Sequence, residues 1–154
     1  MAKMKNTIDR TDSLGLWNYA RDFLTASKTI SEDQKGKISI PAYYLCGHSI
    51  ELALKAFLRG SGTSLDCLRS REIGHDLGNT LAAAIKNGLE EHKKINQEER
   101  ALIELLNISY KNKELEYITA GSKRFPEIEA IQKISESLIE SIKRFCIENK
   151  DLHK

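Results

Sequence analysis

The sequence predicts an all-α protein, an antiparallel bundle of about five helices. Three observations carry this. Glycine and proline are sparse, at 9 and 2 of 154 residues, which suits long helices better than a strand-rich fold full of turns. Apolar residues recur at three-and-four spacing in five segments, and no strand-like alternation competes with them. The connections are mostly short, which places successive helices antiparallel. A chain of 154 residues matches one domain with one core, so residues 1–154 read as a single domain. Flexible tails are expected at 1–11 and 148–154.

The first helix starts at Asp12 or Ser13, either of which can accept a bond from an uncapped backbone N–H. Leu16, Tyr19, Ala20, Phe23, Leu24 and Ser27 form its buried face, with Trp17 beside them, and the polar stretch 31–37 ends it. The second helix carries Pro41 in its first turn, where the missing N–H costs nothing. It runs to Arg59 and closes at Gly60, a residue suited to a left-handed end. Being apolar around most of its circumference, it belongs at the centre of the bundle.

The third helix opens at His75 or Asp76, buries Leu77, Leu81, Ala84 and Ile85, and ends at Asn87-Gly88. Asn96-Gln97-Glu98-Glu99 is a capping-box pattern opening the fourth, whose face is Ala101, Leu102, Leu105 and Leu106. Its periodicity weakens over Asn107–Tyr117, where a kink or break is expected. Phe125-Pro126 starts the last helix, with Ile128, Ile131, Ile134, Leu138, Ile142 and Phe145 at helical spacing.

Charge and cysteine usage narrow the function classes. The 24 basic and 22 acidic residues leave a net charge of +2, which argues against tight nonspecific nucleic-acid binding but leaves room for a local basic patch. Met1-Ala2-Lys3-Met4-Lys5 is followed by no apolar run, so it does not read as a signal peptide. No apolar stretch approaches the roughly 18 residues of a membrane span, and no membrane role is expected. Cys46, Cys67 and Cys146 are odd in number and widely spaced, as in reduced thiols of a cytoplasmic protein.

No metal and no cofactor is expected. Cys46 and His48 point about 200° apart on a helix and cannot share an ion. Gly60-Ser61-Gly62-Thr63-Ser64 follows a helix and lacks the Gly-Lys-Ser/Thr ending, so it is not a phosphate loop.

Two motifs carry chemistry. Tyr44, His48, Glu51 and Lys55 share one face of the otherwise apolar second helix. Buried polar groups are costly unless paired, so this stripe lines a binding pocket or a polar dimer seam. Alternatively, Glu51 and Lys55 form a surface pair contributing about 0.2–0.5 kcal/mol, and His48 is a satisfied core residue. The second motif is Leu68–Leu77, with Arg69, Arg71 and His75 just before a helix start. There, free N–H groups favour an anion, arginine can hold a phosphate, and His75 can move a proton near neutral pH. The bland alternative is that His75 or Asp76 caps the helix and the arginines are solvated.

The segment Tyr43–Leu58, a glycine-bearing loop and Gly74-His75-Asp76-Leu77 together resemble the HEPN superfamily. Glu51, Leu52, Lys55 and Leu58 match its Glu-Leu-x-x-Lys-x-x-Leu helix, and His75, Asp76 and Leu77 match the His-Asp-Leu that opens its next helix. Tyr110–Ile118 is similar to a subgroup of small bacterial members. The resemblance implies a helical bundle, a homodimer, and association with RNA or a nucleotide, or with a cognate antitoxin or nucleotidyltransferase-type partner. Many members are metal-independent ribonucleases, some of them toxins. They use an arginine and a histidine with four to six residues between them at the start of a late helix.

The corresponding region here, Tyr117–Pro126, offers Arg124 but no histidine. Arg69 and His75 have the spacing in a different loop. The leading expectation is therefore a non-catalytic HEPN-like dimer that binds RNA, a nucleotide or a protein. Tyr44, His48, Glu51, Lys55, Arg71 and Asp76 are its binding residues. The alternative is a ribonuclease with Arg69 and His75 as catalytic residues.

Overall fold

The structure, a computed structural model, describes residues 11–116 and 124–150. Among them there are six α-helices, one 3₁₀ turn and no strand. The helices are α1 (Ser13–Asp33), α2 (Ile40–Gly60), the single turn α3 (Leu65–Leu68), α4 (Leu77–Lys86), α5 (Gln97–Tyr110) and α6 (Ile128–Glu148). Much of the expected tail sequence, and part of the Tyr117–Pro126 region, lies outside the described residues.

The all-α bundle is as the periodicity predicts, and α2 is its centre. Its residues Ala53, Leu54, Ala56, Phe57 and Leu58 are almost wholly buried, because α1 and α6 pack on one side and α4 and α5 on the other. Small residues let α1 and α2 approach closely, and serine hydroxyls stitch the backbones together. Ser13 donates to the Ala56 carbonyl at 2.7 Å, Ser49 to Ala20 at 2.6 Å and Ser27 to Ala42 at 2.7 Å. Partners that rise in α1 as they fall in α2 make the pair antiparallel. The single Ser49 proton is thus committed, so Ser135 of α6 donates to Ser49 at 2.8 Å.

Several local expectations are corrected. Tyr19 is exposed, and Trp17 faces the core instead, since its indole N–H reaches the Ile139 carbonyl of α6 at 2.8 Å. Gly60 is the last residue of α2 and not a left-handed terminus. A Cβ there would lie 2.7 Å from Phe145, and it is Gly62 that takes the positive φ of 106°. The inward face of α5 is Ile103, Leu106, Asn107 and Tyr110, whereas Ala101 is exposed. That register turns Asn107 towards α4 and Tyr110 towards α2. The break after α5 falls at Tyr110, within the stretch where the pattern weakens.

The last helix begins at Ile128, not at Pro126. Phe125 and Pro126 are held outside it by Tyr43, whose ring stacks on Phe125 and whose hydroxyl donates to the Pro126 carbonyl at 2.6 Å. The capping box of Asn96 and Glu99 is present with both reciprocal bonds. One turn of helix, α3, was not legible in the loop after α2; Ser64 caps it and Leu68 anchors it in the core.

Candidate functional site

Because α1 and α6 occupy the small-residue side of α2, its polar stripe faces α5 and the loop that enters α4. The stripe is built around Glu51, which is only 2% exposed. Three donors satisfy its carboxylate. Lys55 Nζ lies 3.0 Å from Oε2, Tyr110 Oη lies 2.7 Å from Oε1, and His75 Nδ1 lies 2.9 Å from Oε1. Burial pushes the Glu51 carboxyl up, but Lys55 and the hydrogen bonds from Tyr110 and His75 outweigh it and hold the group below its ordinary range. It is an ionised, neutralised and fully hydrogen-bonded carboxylate. Of the two alternatives for the stripe, a surface Glu51–Lys55 pair is thus excluded, since the pair is buried, with Lys55 at 11% side-chain exposure.

Tyr110 links this centre to His48, whose Nδ1 lies 3.2 Å from the phenol oxygen. Burial and the Glu51 charge push the Tyr110 hydroxyl far above its usual value, so it keeps its proton. Burial lowers His48, with Glu51 opposing, so its neutral form is favoured. Around this pair lies a part-exposed aromatic surface. Tyr44 stacks on His48 at 6.0 Å and on Tyr110 at 6.3 Å, and Phe23 of α1 meets His48 edge-on at 4.6 Å.

The loop into α4 delivers His75. Ile73 is buried and Gly74 takes a φ of 44°, a turn that brings the next residue to Glu51. The His75 side chain stays 57% exposed while its Nδ1 is held by the carboxylate. Asp76 is the N-cap of α4. Its Oδ1 accepts from the Asn79 N–H at 3.0 Å and from Asn107 Nδ2 at 2.9 Å, and the Asn107 Oδ1 accepts from the Leu77 N–H at 2.8 Å. The anion seat expected at this helix start is therefore filled by the chain's own side chains. Desolvation raises the Asp76 carboxyl, but these hydrogen bonds and Lys111 bring it below its ordinary value.

The structure thus brings Tyr44, His48, Glu51, Lys55 and His75 together and gives Asp76 a capping role. Arg69 and Arg71 are exposed, and among the described residues neither side chain makes a hydrogen bond or ion pair. No such contact joins Arg69 to His75. Tyr110 and Asn107 were missed as site residues. The signal for Asn107 was a polar residue between Leu106 and Tyr110 on the apolar face of α5, and Tyr110 follows it one turn on. Cys46 lies in the core, its thiol pushed up to about 12 by burial, on a different side from His48.

Among the described residues no group of three potential ligands is placed for a metal ion. None of their helices is long and apolar enough to cross a membrane. A cleft of about 680 Å³ lies at the N-terminal ends of α2 and α6, lined by residues such as Lys28, Tyr43, Gln132 and Glu136. Neither the Tyr44–Lys55 stripe nor His75, Asp76, Asn107 or Tyr110 lines it. Compared with protein-family models, curated proteins and solved structures, the chain shows no significant match.

Proposed function

We propose that this chain is a HEPN-like module that binds single-stranded RNA or a nucleotide, as a homodimer, through the face around Tyr44, His48 and His75. One observation carries the reading. The buried Glu51 holds a half-exposed imidazole beside a partly exposed aromatic stack, in the loop that also carries two solvated arginines. Aromatic faces stack on bases, and arginine pairs with phosphate. With a net charge of only +2, affinity comes from a few specific contacts and depends on salt with a shallow slope.

Titration of a labelled single-stranded RNA at low salt tests it. Tyr44→Ala and His75→Ala each weaken binding about tenfold or more if these contacts are made, in the range of one stacked base. A wild-type chain that does not bind, or variants that bind equally well, would overturn the reading.

A second reading, a metal-independent ribonuclease, is favoured by one feature. The 2.9 Å bond from His75 Nδ1 to Glu51 orients the ring and leaves Nε2 free for proton transfer. RNA cleavage in the presence of EDTA, abolished by His75→Ala, would replace the binding reading with this one. Cleavage that persists in His75→Ala would end it.

A further inference from the structure

Three groups crowd the oxygens of Glu51 and Tyr110, and their protons can be placed by elimination. An ionised carboxylate only accepts, so each atom facing it must carry hydrogen. His75 Nδ1, at 2.9 Å, is therefore protonated, as is Tyr110 Oη, at 2.7 Å. Two unprotonated oxygens would not rest that close. Tyr110 has a single proton, now committed to Glu51. The remaining contact, His48 Nδ1 to Tyr110 Oη at 3.2 Å, then has to be donated by the histidine.

We propose that Tyr110 is a positioning residue that fixes His48 as its Nδ1–H tautomer, while Glu51 fixes His75 in the same tautomer. Both rings then keep Nε2 as their unprotonated acceptor. The Tyr110 ring is itself held in place, since it packs against the bare Cα of Gly47, where a Cβ would come within 2.6 Å of it. In the neutral state the face therefore recognises a hydrogen-bond donor, such as a ribose hydroxyl or an exocyclic amine, through imidazole nitrogen. This ligand preference rests on the binding reading above; the tautomers do not.

Side-chain ¹⁵N–¹H correlation spectra of the ligand-free protein at pH about 8, above the ordinary imidazole range, read the tautomers directly. His48→Gln and His75→Gln assign the two rings. The wild type is expected to show both as Nδ1–H. Tyr110→Phe, which keeps the ring and removes the hydroxyl, is expected to move His48 towards Nε2–H and leave His75 unchanged. A wild-type His48 in the Nε2–H form, or a His48 pattern untouched by Tyr110→Phe, would overturn the proposal. The wild-type spectrum decides the first point even if the variant does not fold. Because no RNA is present, failure here is distinct from failure of the binding reading.

Discussion

Glu51 and His75, 24 residues apart, meet at 2.9 Å on a carboxylate that is 2% exposed, and that bond ties the loop before α4 to the central helix. The same carboxylate neutralises Lys55 at 3.0 Å. Breaking a buried pair by removing one partner costs about 3–5 kcal/mol, because the other charge stays buried. Glu51→Ala should lose stability of that order in urea unfolding. Glu51→Gln, which keeps an acceptor, should lose less. A loss below about 1 kcal/mol for the alanine variant would mean that Lys55 escapes to solvent at little cost.

Acid should destabilise the fold in steps. His48, Glu51 and Asp76 all lie below their ordinary values of 6.5, 4.5 and 3.8. For each, the unfolded chain takes up a proton first, so the contribution is present above the ordinary value and lost as pH falls through the folded one. Urea midpoints should therefore begin to decline below pH 6.5, set by His48, and fall further below pH 4.5 as Glu51 is titrated. His48→Gln should flatten the first step only. A midpoint that rises on acidification from neutral pH would contradict this.

Gly47→Ala should be costly although alanine is the better helix former. Its Cβ would come within 2.6 Å of Tyr110 Cδ2 and 2.9 Å of Cε2, against a ring fixed by hydrogen bonds. Overpacking of this kind costs about 1–3 kcal/mol, measurable as a lower urea midpoint. An unchanged or raised midpoint would show that the ring can move aside freely.

Asp76→Ala should lower stability by about 1–2 kcal/mol through loss of the α4 cap, with Asn107 also left short of a partner. Asp76→Asn, which can still accept from Asn79, should recover most of this in a thermal melt. Equal losses in both variants would point to the charge and not to the cap.

Much of the fold was legible because it follows from short-range pattern. The spacing of Leu16, Ala20 and Leu24, the all-round apolarity of α2 and the Asn96–Glu99 box each depend on residues within a few positions of one another. Misplaced features depend on distant partners. Trp17 displaced Tyr19 because of a carbonyl on α6, and Gly60 is helical because Phe145 packs over it. Pro126 stays outside α6 because Tyr43 holds its carbonyl.

The site divides the same way. The sequence by itself determined an all-helical chain and a polar stripe of Tyr44, His48, Glu51 and Lys55, since a helix's period alone puts those side chains on one face. Only the tertiary structure decided that Glu51 is buried, that Tyr110 reaches it from 59 residues away and that His75, not Arg69, joins it. Those outcomes turn on how α5 and the α4 loop pack against α2. A carboxylate taken out of water must collect its donors from whatever elements lie beside it, and no local spacing encodes which those are.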